Sequence, residues 1–156
     1  MRLFGRTLAA AAAAAAVAAP AEAQMVSAKN PASLVAALKA KGYPAELGGA
    51  KGDPSISSSA GDLKFKIYFE NCTAGKACTT VTFFTGFTDL DATHAKLNEW
   101  NAKNRFARAY IDDENDPVLQ MDVDLDFKGI PTANFNEYID IWSSSASKYL
   151  TFLRGK

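Results

Sequence analysis

Leu63-Lys-Phe-Lys-Ile-Tyr-Phe-Glu70, followed after a cysteine-flanked turn by Thr79-Thr-Val-Thr-Phe-Phe-Thr-Gly-Phe87, is the stretch that decides the fold. Leu63, Phe65, Ile67 and Phe69 alternate with Lys64, Lys66, Tyr68 and Glu70. One face is therefore apolar and the other polar, at the two-residue period of a strand. The second run is dense in β-branched and aromatic residues, which suit a pleated, half-buried surface. Cys72 and Cys78 flank Thr73-Ala-Gly-Lys-Ala77 between the runs, a turn short enough to bring two strand ends to bridging distance. The expected unit is an antiparallel hairpin pinned by a Cys72–Cys78 disulfide, which stabilises by about 2 kcal/mol on the chain-entropy model. The C-x5-C spacing differs from the C-x-x-C of redox and zinc sites, and His94 is the sole histidine. No metal or cofactor is expected.

A second hairpin follows, from Phe106 to Asp112 and from Val118 to Phe127. If Asp113 faces Pro117, Ala107, Ala109 and Ile111 stand opposite Val123, Met121 and Leu119 on one face. Phe106, Arg108 and Tyr110 then oppose Asp124, Asp122 and Gln120 on the other. A loop of even length would mix the two faces of both strands, so an odd, three-residue loop is expected.

Helices frame these strands. Asn30 suits an N-cap and Pro31 the first helical position. Leu34, Val35 and Leu38 form a stripe that stops at Gly42. Thr88, Asp89 and Asp91 are expected to open a second helix, whose apolar side is Leu90, Leu97 and Trp100 and which ends before Asn104. The clearest helix starts near Pro131. Phe135, Tyr138, Ile139, Trp142, Ala146, Tyr149, Leu150 and Leu153 follow steps of three and four, and Gly155 suits its C-terminal cap. Weaker strands are expected at Tyr43 to Leu47 and Ser55 to Ser59. The sum is one α+β domain over residues 30–156, an antiparallel sheet packed by N-terminal, middle and long C-terminal helices.

Residues 1–23 read as a cleavable signal peptide. Arg2 and Arg6 give a positive start, Leu8 to Ala19 is unbroken apolar chain, and Ala21-Glu-Ala23 is a small-x-small cleavage site. Twelve apolar residues reach only about 18 Å as a helix, short of the roughly 30 Å of a bilayer core. Cleavage after Ala23 predicts a periplasmic or secreted protein without a membrane anchor, in a compartment that favours disulfides. Removing the first 23 of 156 residues leaves 133, with Gln24 to Lys29 expected as a short tether. It also takes away Arg2, Arg6 and Glu22, so the even balance of 17 basic and 17 acidic residues moves to a net charge near −1. Lysines neither run together nor interleave with aromatics, which argues against nucleic acid as a partner.

Acidic residues concentrate at Asp112, Asp113, Glu114, Asp116, Asp122, Asp124 and Asp126. The turn lacks the glycine and the terminal acid of a calcium loop, and the last three alternate on one strand face about 7 Å apart. No nucleophile elbow, Cys-His pair or phosphate-binding glycine loop is present, so the protein is expected not to be an enzyme. Arg108, flanked on its strand face by Phe106 and Tyr110 and opposite Asp122, suits either a surface ion pair or an interface anchor.

Trp100-Asn-Ala-Lys-Asn-Arg-Phe-Ala-Arg-Ala-Tyr-Ile-Asp-Asp-Glu-Asn-Asp-Pro-Val-Leu-Gln-Met-Asp122 resembles the central signature of the YbjN family, bacterial proteins described as sensory transduction regulators. The shared pattern is a Trp-Asn helix end, an Arg-Phe-x-x-x-Tyr strand, an acidic turn and a strand ending in alternating aspartates. The order of elements agrees from Asn30 to Leu153. The resemblance implies a fold similar to type III secretion chaperones, an α+β unit that often works as a dimer and binds protein segments. It implies no catalytic residues. The signal peptide and the Cys72–Cys78 pair depart from the cytosolic setting usual for the family.

The function expected from these observations is a non-catalytic periplasmic interaction module, chaperone-like or regulatory. Its candidate partner-binding face comprises Phe106, Arg108, Tyr110, Asp122 and Asp124, and its partner is a protein segment, an envelope component or a second copy. The alternative is a small-ligand or cation binder on the acidic 112–126 hairpin. A third reading, a hydrolase built around His94, stands behind both.

Overall fold

A computed structural model describes residues 24–50, 52–125 and 128–155; residues 1–23, on which the signal-peptide expectation rests, Asp126, and Phe127, the expected end of the second hairpin, lie outside them. The elements run β1 (Met25–Val26), α1 (Pro31–Ala40), β2 (Ala45–Ala50), β3 (Asp53–Ala60), β4 (Leu63–Glu70), β5 (Thr80–Gly86), α2 (His94–Lys103), β6 (Arg108–Ile111), β7 (Pro117–Asp124), β8 (Ile130–Pro131) and α3 (Thr132–Leu153). Strands β2 to β7 form one antiparallel sheet in the order β2-β3-β4-β5-β7-β6. This is the mixed α+β architecture that the strand and helix periods predict.

The alternation in β4 does what its pattern requires. Phe65, Ile67 and Phe69 are buried, and Ile67 and Phe69 pair with Phe83 and Val81 of β5. Leu119, Met121 and Val123 of β7 continue the same inner face. Helix α3 lays Phe135, Ile139, Trp142, Ala146, Tyr149 and Leu153 over it. Trp142 meets Phe65 and Phe83 at ring-centroid separations of 5.9 and 5.6 Å. Trp100 of α2 packs edge-on against Tyr149 at 5.0 Å, while α1 is tied to α3 by Lys41 Nζ and Asp140 Oδ2, 2.8 Å apart. Lys96 reaches from α2 to the last turn of α3, donating to the carbonyl of Leu153 at 2.8 Å.

Cys72 and Cys78 are disulfide-bonded across the β4–β5 turn. Helix α1 stops where Gly42 stops it: with φ +89° the glycine turns the chain back, Gly42 N–H donating to Lys39 O and Tyr43 N–H to Leu38 O. Asn30 holds the N-cap position but its side chain makes no capping bond. Its carbonyl accepts instead from the Ser33 N–H and, at 2.6 Å, from the Ser33 hydroxyl.

Three expectations are corrected. Gln24 to Lys29 is not a tether. Val26 and Ala28 are each 1 % exposed, β1 pairs with β8, and the Gln24 carbonyl accepts from both Thr132 N–H and Thr132 Oγ1 at the start of α3. The approach is close enough that a Cβ at Gly129 would run into the Val26 carbonyl. The second helix starts at His94 rather than at Thr88, because Thr93 supplies the cap by accepting from Lys96 N–H at 3.2 Å; Asp89 and Asp91 precede it.

The second hairpin has its odd loop, but centred one residue earlier. Arg108 pairs with Gln120, Ala109 with Leu119 and Tyr110 with Val118. The Asp112 side chain decides this. Its Oδ1 accepts from the N–H groups of Glu114 and Asp116 at 3.1 and 2.9 Å, and Asn115 takes the left-handed conformation at φ +67°. A shift of one residue on each strand changes partners by two, so every side chain keeps its predicted face.

Candidate functional site

The alternation that buries one face of the sheet leaves the other without a described helix upon it. On that outer face Tyr68 of β4 and Phe84 of β5 meet edge to face at 5.7 Å, with the Lys66 ammonium 5.9 Å from the Tyr68 ring centroid. Toward the β6 edge the face becomes polar and is organised by Asp122. The β5–β7 register sets Asp122 opposite Thr82. Asp122 Oδ1 accepts from Thr82 Oγ1 at 2.7 Å and from Gln120 Nε2 at 3.0 Å, and Oδ2 lies 3.7 Å from Arg108 Nη2. The ion pair is thus diagonal across the hairpin rather than directly opposite. Both side chains are about half exposed or more, so it contributes under about 1 kcal/mol.

Tyr110 stands half-buried beside Val118, which is fully buried although it faces outward. Burial pushes the Tyr110 phenol above its ordinary pKa; Arg108 pulls it down, and Asp112, Asp122 and Tyr68 push it further up. Asp124 occupies the same face opposite Thr80. Phe106 precedes β6 and is 54 % exposed, with the Arg105 guanidinium 5.2 Å from its ring centroid. A shallow depression of ≈ 340 Å³ gathers Arg105, Phe106, Arg108, Gln120 and Asp122 with Asn101 and Asn104. Of the five predicted residues, Phe106, Arg108 and Asp122 share this depression. Tyr110 and Asp124 lie on the same face outside its lining.

Sequence reasoning gave no role to Asn101, which turns out to shape the site's border. Its amide donates to Ala109 O at 2.9 Å and accepts from Ala109 N–H at 2.8 Å, doing for the β6 edge what a neighbouring strand would do. Trp100 Nε1 donates to Ala107 O at 3.4 Å. The Trp-Asn pair of the signature therefore closes a strand edge. The one signal for it in the sequence was that signature.

Two other candidates are placed differently. His94 is the exposed first residue of α2, away from the depression. In the acidic turn Asp112 is committed to the turn's own N–H groups. Among the described residues no three His, Cys, Asp or Glu side chains converge as a cation site would need. A wider cleft of ≈ 680 Å³ runs between the β4–β5 strand ends and α3, where Asp62, Lys64, Asp89 and Arg154 bring both signs of charge.

Compared with known proteins, the chain matches the model of the YbjN family, described as "Putative bacterial sensory transduction regulator", over residues 30–154. No curated protein matches it, nor does any solved structure. The family match spans most of the chain and every described element except β1, and it contains the Trp100–Asn101 edge closure and the Arg108–Asp122 hairpin. The protein belongs to the YbjN family.

Proposed function

We propose that this chain is an exported, non-catalytic interaction module that takes a protein segment or envelope component on its outer sheet face around Arg108. The observation that carries this reading is an outer face that no described helix covers. It combines an exposed aromatic ring at Phe106, an arginine and a shallow polar depression on a rigid sheet, the residue types and setting in which interface anchors are enriched. Arg108 has five N–H donors, and its 3.7 Å contact with Asp122 leaves donors for a partner's carboxylate or backbone carbonyl. Export is supported by the charged start, apolar run and cleavage site of residues 1–23 and by a disulfide suited to an oxidising compartment. Gln24 already contributes its carbonyl to α3, so a chain cut after Ala23 keeps every contact described above.

The test is native mass spectrometry of the protein drawn from its own periplasm, beside the Arg108→Glu variant. The expected mass begins at Gln24 and includes the two-hydrogen loss of the disulfide. A partner chain bound to the native protein should be lost from the variant, whose melting curve stays within about 0.5 kcal/mol of native because the substitution is at the surface. Equal retention of that partner by both proteins would overturn the placement at Arg108.

A further inference from the structure

The two edges of the sheet are finished in opposite ways. At β6 the outward N–H and C=O of Ala109 are both taken by Asn101. At β2, Glu46 to Ala50 are all exposed, and Leu47 remains 51 % exposed although it sits on the helix-side face. No lysine or proline interrupts Ala45 to Ala50; the one charge, Glu46, lies on the face opposite Leu47, and the one backbone irregularity, Gly49 at φ +95°, lies at the strand's far end, so the middle of the edge stays open to another strand. Its backbone polarity follows from one partner. Gly49 pairs with Pro54, which has no N–H to give, so that pair exchanges no ladder bonds. By alternation Gly48–Ser55 and Glu46–Ser57 do exchange them, and Leu47 turns its N–H and C=O outward.

We infer that β2 pairs antiparallel with β2 of a second copy of this chain, across a two-fold axis through Leu47, joining two six-stranded sheets edge to edge. The edge is self-complementary in this register alone. Leu47 lies beside Leu47 and covers the exposed side chain, each Leu47 exchanges both backbone bonds with the other, and Glu46 stands against Gly48. An axis through Glu46 would set two carboxylates directly opposite, which is destabilising, and one through Gly48 would leave each Leu47 against a glycine. A six-residue strand pairing buries less than the roughly 1,200 Å² of a standard stable interface, so the dimer is reversible and dissociates on dilution. The inference rests on the β2 edge and is independent of any partner at Arg108.

Cross-linking tests it in the full chain with the native disulfide intact. Directly opposed residues that exchange both bonds lie about 5.5 Å apart at Cα, inside the disulfide window of about 4.4–6.8 Å, so Leu47→Cys should form a covalent dimer on mild oxidation. Glu46→Cys, two residues out of register with its own copy, should cross-link more slowly by about tenfold or more. In sedimentation the native chain should approach twice its monomer mass as concentration rises, and Leu47→Asp, which sets like charges opposite, should stay at one. Equal cross-linking rates at 46 and 47, or a native chain that stays monomeric up to its solubility limit, would overturn the pairing.

Discussion

Tyr149 is fully buried between Phe87 and Trp100, yet its hydroxyl meets no hydrogen-bond partner among the described residues, as is also true of Trp142 Nε1 and Asn136 Oδ1. A buried donor left unpaired costs about 1–3 kcal/mol, and burial drives the phenol's pKa far above its usual value near 10. The sign of the pH effect follows. Folded Tyr149 keeps its proton where the unfolded chain has begun to lose it, so its contribution is complete below about pH 10 and is withdrawn as pH rises beyond that. Tyr149→Phe removes the stranded group while keeping the ring contacts. Urea melts should show the variant more stable by about 1 kcal/mol at neutral pH, with a shallower loss in alkali; a destabilised variant would mean that the hydroxyl is satisfied in solution. Tyr149 was legible as core from its place in the helical stripe, but its missing partner was not, because periodicity reports which face a residue takes and not what its polar atom meets. Asn101 is the converse case. A polar residue on a helix fits a solvated face, and only the position of β6 shows that its amide substitutes for a strand.

At the level of elements, the β4–β5 hairpin was legible because two independent signals agree, strict alternation and a cysteine pair at its turn. The second hairpin was legible in parity but not in register. Which of several acidic residues would fold back on the turn depends on the Asp112 carboxylate and on Asn115 accepting a left-handed backbone, and Asp, Glu and Asn in a row leave that choice open. The same competition between neighbours moved the start of α2 to His94, behind the Thr93 cap. The disulfide's weight can be measured separately from the register it accompanies. Ile67–Phe83 and Phe69–Val81 bury large side chains on the inner face, so β4 and β5 should stay paired in Cys72→Ala/Cys78→Ala. The double variant should lose about 2 kcal/mol in urea melts, the entropy of so short a closed loop, with an unchanged far-ultraviolet spectrum. A loss of the spectrum itself would show that the turn, and not the apolar face, sets the hairpin.

For the molecule as a whole, the family match begins at residue 30, and the sequence before it invites treatment as a tether because two-residue strands carry no periodicity to detect. The fold contradicts that boundary. Val26 and Ala28 belong to the same buried cluster as Leu34, Phe135 and Ile139, β1 and β8 form a small second sheet at the foot of α3, and the Gln24 carbonyl takes the first N–H of that helix. A chain begun at Asn30 would lose the burial of a valine, about 2 kcal/mol, together with hydrogen bonds worth about 1 kcal/mol each. It would also open the N-terminal turn of the helix whose apolar stripe packs on the inner face. The expected outcome is a loss of roughly 3–5 kcal/mol relative to the chain begun at Gln24. Tryptophan fluorescence and far-ultraviolet circular dichroism should still report one coincident transition, since Trp100 and Trp142 are buried in one continuous cluster with the sheet. Equal stability of the two chains would restore the tether and place the domain's edge where the family's begins. A marked loss would place that edge at Gln24, next to the bond that the proposed signal cleavage breaks.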